Sequence, residues 1–221
     1  MPSYLLLPSP LLTPASWAPT AAWLADTGHR VEVVGYPGDA PTPQAVLDTV
    51  LAAADGLRDL VLVPHSNAGL YAGHLADLVG ARATVYVDAA LPLVPGDDTA
   101  LAAPELLAFL RGLADDDGRL PPWTQWWDDL EGLFPDAETR AAVEAGQPRV
   151  PLRYFTERVP VQEGWADRAC GYLAFGPTYA TEIVFARGHD WPVTTLDGGH
   201  LHQLHDPAEV GAAILGLVER L

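Results

Sequence analysis

Basic residues are scarce in this chain of 221 residues: 12 lysines and arginines stand against 29 aspartates and glutamates, a formal net charge of −17. A surface of that sign repels nucleic acid and anionic lipids, so neither is an expected partner. No apolar run approaches the roughly 20 residues that cross a membrane. The first twelve residues lack a basic region and contain three prolines, which does not favour a secretory signal.

Cysteine is limited to Cys170, which excludes an intrachain disulfide and agrees with a cytoplasmic location. The phosphate-binding patterns G-x-G-x-x-G and G-x-x-x-x-G-K-[ST] are missing, so no cofactor is expected. His200, His202 and His205 form H-x-H-x-x-H, but no cysteine or paired carboxylate completes a zinc ligand set. No metal is therefore expected.

Strand-like and helix-like segments alternate along most of the chain, the pattern of a parallel sheet with crossover helices. The predicted strands are 3–7, 30–36, 60–63, 83–87, 170–175 and 192–196; the predicted helices lie within 13–28, 44–55, 67–79, 178–187 and 206–221. A Pro/Gly loop is expected after the second strand. Residues 95–161 are rich in Trp, Asp and Pro and interrupt the pattern. We therefore expect one domain, with a core of residues 1–94 and 162–221 and a helical lid inserted at 95–161.

The segment LVLVPHSNAG carries the strongest functional signal. An apolar strand over Leu60–Val63 is expected to end at Pro64, and Ser66 follows on a tight turn before a helix with small residues. Such a turn exposes a serine hydroxyl to substrate and base, as a nucleophile requires. Pro64 and Ala68 replace the glycines of G-x-S-x-G, so an ordinary helix N-cap is the alternative interpretation of Ser66.

Two more polar residues follow predicted strands. Asp88 comes directly after 83–87, and His200 follows 192–196. Because the carboxyl ends of parallel strands meet at one edge of the sheet, Ser66, Asp88 and His200 are expected to lie together. Nucleophile, acid and base in this chain order match the triads of α/β-hydrolases, in which the histidine accepts the serine proton and the carboxylate orients the histidine. The pair Gly198–Gly199 gives the histidine loop the freedom to reach Ser66.

On these residues the chain resembles α/β-hydrolase-fold proteins, in particular small bacterial esterase-like members with a helical lid. The stretches SWAPTAAWLADTGHRVEVVGYPG and VDAALP and the GH near the C-terminus also fit. The resemblance spans nearly the whole chain and is weakest at 95–161. It implies an α/β fold, with a mostly parallel central sheet flanked by helices and a small helical lid.

The chain departs from this resemblance in the loop after the first strand. Relatives end that strand in H-G-x, where x supplies a backbone N–H to the oxyanion hole, and the register places Pro8, Ser9 and Pro10 there. Pro10 has no N–H. Asn67, next to the nucleophile, keeps its N–H, and Ser9 Oγ or the Leu11 N–H are the candidate substitutes. Losing one donor costs about 100- to 1000-fold in rate.

A second departure concerns the acid. Many relatives carry an Asp after the strand at 170–175, where this chain continues GPTYATE. Asp88 is the expected partner of His200, and Glu182 is the second candidate. The remaining interpretation is that Asp88 only caps the next segment and His200 has no carboxylate.

Aromatic residues concentrate in the inserted segment. Trp123, Trp126 and Trp127 are expected to pack under a lid or to line an apolar or aromatic substrate pocket, and Trp17 is a candidate pocket wall beside the oxyanion loop. The expected partner is therefore a small apolar or aromatic molecule; the oligomeric state is left open.

Three functions remain open from the sequence. The first is a serine hydrolase acting on an ester, thioester or lactone. The second is a biosynthetic cyclase, dehydratase or lyase that uses His200 as acid and base, which Pro10 favours because proton transfer needs no full oxyanion hole. The third is a ligand-binding protein without activity.

Overall fold

A computed structural model of the protein describes residues 1–36, 38, 42–94 and 96–221. Its strands are Ser3–Leu7 (β1), Arg30–Val33 (β2), Leu60–Ser66 (β3), Ala83–Ala89 (β4), Asp98–Ala100 (β5), Arg158–Pro160 (β6), Cys170–Phe175 (β7) and Val193–Leu196 (β8). Six of them form one sheet in the order β2-β1-β3-β4-β7-β8, with every neighbouring pair parallel. The predicted parallel sheet is confirmed. The Pro/Gly loop expected after β2 lies partly outside the described residues.

Helices cover both faces of this sheet. They are Ala18–Asp26 (α1), Pro43–Ala54 (α2), Gly69–Leu78 (α3), Pro104–Leu113 (α4), Ala137–Glu144 (α5), Ala180–Gly188 (α6), His202–His205 (α7) and Pro207–Val218 (α8). The last helix begins as expected, because the Asp206 carboxylate accepts a hydrogen bond from Glu209 N at 2.8 Å and Pro207 occupies the first turn. None of the helices among the described residues is long and apolar enough to cross a membrane.

The alternation of side chains along β1 explains why the sheet is covered on both faces. Leu5 and Leu7 join the apolar cluster that contains residues of α2 and α3, whereas Tyr4 and Leu6 join the cluster that contains residues of α1 and α8. All positions of β1 and β3 are buried, as expected for central strands of a parallel sheet. The strands therefore hold their carboxyl ends in fixed register at one edge.

Three predicted boundaries near that edge differ from the structure. Pro64 does not end β3, which continues to Ser66; Pro64 pairs with Leu7, the last residue of β1, so the missing N–H costs a single ladder bond at the rim. Asp88 lies inside β4 rather than after it. The helix expected from residue 67 begins at Gly69.

The inserted segment contains structure that the sequence did not indicate. Besides α4, α5 and short 3₁₀ turns, it holds an antiparallel pair in which β5 and β6 meet across 60 residues of sequence. Strands of three residues carry almost no periodic pattern, so a long-range pair of this kind has no local signal. That the segment acts as a lid stays a prediction.

Candidate active site

Ser66 ends β3 in a backbone conformation that side chains rarely adopt, with φ of +57°. Such left-handed residues cost energy and are retained mainly where function needs them. The turn is closed by two backbone hydrogen bonds, from Ala68 N to His65 O at 3.1 Å and from Ala90 N to Ser66 O at 3.1 Å. Gly69 makes the tight turn possible, because a Cβ there would collide with the Ala90 carbonyl oxygen. The serine is therefore held at the carboxyl edge of the sheet.

Asp88 is turned toward the same edge by a bulge. Along β3 and β4, His65 pairs with Val87 and Ser66 pairs with Ala89, which leaves Asp88 as an extra residue of β4. Its φ is +39°. The Tyr172 hydroxyl stabilises the bulge, since it donates to Ala89 O at 2.7 Å and accepts from Ala89 N at 3.0 Å.

The carboxylate of Asp88 is fully buried and both of its oxygens are hydrogen-bonded. Oδ1 accepts from Phe175 N at 3.1 Å, and Oδ2 lies 2.7 Å from Nδ1 of His200. This contact assigns the proton of a neutral His200 to Nδ1 and leaves Nε2 free to accept one. Among the described residues Glu182 makes no hydrogen bond to His200, so Asp88 is the carboxylate that this histidine meets.

His65 supports His200 from the side of the elbow. Its Nε2 donates to the backbone oxygen of His200 at 2.9 Å, and the two rings lie 4.6 Å apart. Burial, together with the neighbouring His200, holds the pKa of His65 well below its usual value. The His65 imidazole is therefore neutral and acts as a donor to the backbone, not as a base for Ser66.

The side chain of Asn67 is locked by a buried polar chain. Its Nδ2 donates to Leu101 O at 3.0 Å, and its Oδ1 accepts from the Tyr154 hydroxyl at 2.7 Å. That hydroxyl in turn accepts from the Tyr71 hydroxyl at 2.8 Å. The inserted segment, through Leu101 and Tyr154, is thus tied directly to the residue after Ser66.

The loop after β1 forms a closed turn in which Leu12 N donates to Ser9 O at 2.8 Å. Within it, Leu11 N points at Ser9 Oγ across a long 3.4 Å. Ser9 and Pro10 are buried outside the cavity described next, whereas Leu11 lines it. Of the three residues 9–11, only Leu11 therefore belongs to the cavity lining, and among the residues that the structure describes its N–H makes only this long contact.

Ser66 and His200 open into one cavity of about 890 Å³. No hydrogen bond joins their side chains in the described part of the chain, and catalytic hydrogen bonds are often long in ligand-free proteins. The walls are mostly apolar, as in small-molecule sites. Asn67, Trp123, Trp126 and Trp127 belong to the lining, together with Leu70, Leu101, Leu106, Leu107, Phe155, Arg111, Arg158, Tyr179 and Glu182.

Tyr179, which precedes α6, and Glu182, in its first turn, bring polar groups into this cavity. Tyr179 lines the cavity with its ring 5.8 Å from the His200 imidazole, and burial raises the pKa of its hydroxyl. The pKa of the Glu182 carboxyl is also raised, first by burial and further by the negative charge of Asp88. Tyr179 was not anticipated from the sequence, since a Tyr in GPTYATE has no pattern that marks it.

The structure does not bring every candidate to the cavity. Trp17 is fully buried in the core, with its ring edge-on to His65 at 6.0 Å, so the expectation of a pocket wall is corrected: the turn before α1 directs it inward. His202 pairs with Glu209 at 3.2 Å, and His205 Nε2 meets Leu133 O at 3.2 Å. In the described part of the chain no group of three or more His, Cys, Asp or Glu could hold a metal ion.

Sequence comparison gives no relative: no protein-family model matches the chain, and neither does any curated protein. Solved structures do match over the full length. An extracellular α/β-hydrolase from a Paenibacillus species, described as a structural and functional homologue of tobacco salicylic acid binding protein 2, gives a TM-score of 0.78 at 18% identity, covering 98% of this chain and 99% of that one.

Two plant proteins are similarly close in structure. A methylesterase from Arabidopsis gives a TM-score of 0.75 at 12% identity over 100% of both chains. A single-residue variant of tomato methylketone synthase I gives 0.73 at 14% identity over 100% of this chain and 99% of that chain. Likeness at such identities shows the fold: this chain has the α/β-hydrolase fold.

Proposed function

We propose that this α/β-hydrolase-fold protein is a serine hydrolase that cleaves an ester, thioester or lactone of a small, mostly apolar molecule. The proposal rests on one arrangement, the 2.7 Å contact between His200 Nδ1 and the buried carboxylate of Asp88 beside a strained Ser66 in the same cavity. Fold alone does not determine a reaction, so the argument is made from this site.

The chemistry follows the roles of a Ser-His-Asp triad. Ser66 Oγ attacks the carbonyl carbon and His200 Nε2 takes its proton. Asp88 holds Nδ1–H and stabilises the imidazolium. The backbone N–H of Asn67, whose side chain is fixed by Tyr154 and Leu101, donates to the oxyanion. His200 then protonates the leaving group, and water releases the acyl group from Ser66.

The apolar walls support an apolar acyl or aromatic group as the part of the substrate that the protein binds. Leu70, Leu107 and Phe155 offer no hydrogen-bond donors, and the volume accommodates a medium-sized molecule. The inserted segment contributes several of these walls, which makes it the part of the chain that sets the substrate range.

A non-hydrolytic reaction is the second candidate, and Pro10 favours it. The missing N–H weakens oxyanion stabilisation, whereas His200 and Asp88 would still move a proton. One of the structural neighbours is named methylketone synthase, a name that does not describe an esterase. A variant of that protein has been solved in complex with beta-ketoheptanoate.

Hydrolysis of p-nitrophenyl acetate, butyrate and octanoate by wild type, Ser66→Ala, His200→Ala and Asp88→Asn tests the proposal. We expect activity in the wild type, loss in both alanine variants and a fall of about 10⁴-fold in kcat for Asp88→Asn, whose amide would hold the wrong tautomer. Labelling of wild type by a fluorophosphonate, located by mass spectrometry, should occur at Ser66. Turnover of another substrate that survives Ser66→Ala but not His200→Ala would overturn the proposal in favour of acid–base chemistry.

A further inference from the structure

Arg111 and Arg158 both line the cavity, and they differ in whether an acidic residue balances their charge. Arg158 Nε donates to Asp98 Oδ1 at 2.7 Å and Nη2 donates to the Asp98 backbone oxygen at 3.3 Å, so its charge is compensated within the β5–β6 pair. Arg111 forms no ion pair and no side-chain hydrogen bond with any residue that the structure describes. Its guanidinium therefore keeps its charge and its donors for a ligand.

Helix α4 presents Arg111 at the end of an apolar face. Pro104, Leu107 and Arg111 are spaced three and four residues apart, so they share one side of the helix, and all three line the cavity. Arg111 is exposed and lies in the last turn. A ligand that follows this face therefore meets apolar groups first and the positive charge after them.

The acidic group of the cavity lies elsewhere. Glu182 belongs to α6, and its carboxyl is close enough to Asp88 for the charge of Asp88 to raise its pKa. Negative charge is thus concentrated beside the proposed triad, whereas Arg111 belongs to the inserted segment. An anionic group of a bound molecule is repelled from the first region and attracted to the second.

We propose that the substrate carries a carboxylate at the end of its apolar chain remote from the scissile carbonyl, and that Arg111 binds this carboxylate. The inference rests on the hydrolase function proposed above and names the substrate class of that site. The guanidinium offers paired donors in a planar fork that matches the two oxygens of a carboxylate. Arg111 takes no part in the bond-making steps at Ser66; it selects the substrate.

Arg111 could instead serve only the helix, since a positive charge in the last turn of α4 is favourable there. That role does not depend on the substrate, so it would affect neutral and anionic substrates equally. Binding of a carboxylate predicts a difference between the two. The test therefore compares substrates that differ in one negative charge.

Mono-p-nitrophenyl esters of adipic and suberic acid are each paired with the same ester methylated at the far carboxyl. In the wild type we expect kcat/KM to favour the free acid by about tenfold, because hydrogen bonds to charged groups are strong but exposure to water weakens this one. Arg111→Gln should remove that preference by raising KM for the acids, with the methyl esters unchanged. Arg111→Lys keeps the charge without the fork and should keep part of the preference.

Arg153→Gln is the matched control. Arg153 is an exposed arginine of the same inserted segment and lies outside the residues that line the cavity. Its loss changes the net charge of the protein as much as the loss of Arg111 does. The preference for the free acids should be the same in Arg153→Gln as in the wild type.

The role of Arg111 is wrong if the wild type prefers neither form at either chain length, or if the preference survives Arg111→Gln. It is also wrong if Arg111→Gln slows acids and methyl esters equally, as a defect of α4 would. Should Arg111→Gln not fold, Arg111→Lys decides, and its preference must fall below that of the wild type. Absence of turnover of every ester by the wild type, the neutral ones included, would instead contradict the hydrolase proposal, so the two failures are distinguishable.

Discussion

His65 Nε2 donates to the backbone oxygen of His200 at 2.9 Å, so the residue before Ser66 in the sequence holds the loop that carries the proposed base. This bond links the end of β3 with the loop after β8, although two other strands, β4 and β7, lie between β3 and β8 in the sheet. The position of His200 therefore depends on the elbow itself, not only on Asp88.

Replacing His65 should impair turnover more than binding. In His65→Ala the His200 backbone oxygen loses its donor, and we expect kcat to fall about tenfold with KM within about twofold, from the loss of one hydrogen bond. His65→Gln, which keeps an N–H donor, should recover part of kcat. Steady-state kinetics on p-nitrophenyl butyrate give both parameters. A lowered melting temperature with unchanged kcat would mean that His65 only packs.

Replacing Tyr154 should destabilise the protein through the groups it leaves behind. In Tyr154→Phe the Asn67 Oδ1 and the Tyr71 hydroxyl both lose their partner inside the protein, which costs about 1–3 kcal/mol. Tyr71→Phe removes one bond at the end of the chain and should cost less. Urea unfolding curves compare the two variants. Equal losses would show that the hydroxyls do not act as a chain.

Replacing Gly69 should damage the elbow. Gly69→Ala brings a Cβ against the Ala90 backbone, which itself bonds Ser66 O, so both stability and fluorophosphonate labelling should fall. Gly216→Ala is the control, since Gly216 lies within α8 and a Cβ there would project into open space, so this substitution should stabilise the protein by about 0.5–1 kcal/mol. Retained labelling in Gly69→Ala would mean that the turn can relax.

Glu182 should make stability depend on pH. The pKa of the Glu182 carboxyl is raised in the folded protein. Its contribution to the free energy of unfolding is therefore complete below the unfolded-state pKa of about 4.3, and it is lost as the pH rises through the folded-state pKa. The Glu182→Gln variant has no carboxyl at this position and does not lose this stability. The difference between its urea midpoint and that of the wild type should therefore increase from pH 4 to pH 7. Glu163→Gln, on the exposed surface, controls for the loss of one negative charge.

Local sequence patterns were sufficient to predict the sheet. They were insufficient to predict the residues that pack around Ser66, Asn67 and His200. The apolar strands and Asp206 capping α8 are visible within a few residues of sequence, and the predicted strand 170–175 has the bounds of β7. The prediction that Pro64 ends β3 was wrong because the hydrogen bond that a proline loses depends on where the neighbouring strand β1 ends. Tyr154 lies 87 residues from Asn67, and Tyr179, whose ring lies beside His200, carries no motif, so these contacts exist only after folding.

The bulge in β4 determines which loops of this protein can change in sequence without affecting the orientation of His200. Asp88 is carried on the strand that neighbours β3, so the orientation of His200 is secured within the central sheet. The loop after β7 is thereby released from supplying a carboxylate. Residues of that loop can be exchanged without removing the carboxylate that His200 meets, which makes the loop a suitable place to begin a mutagenesis library.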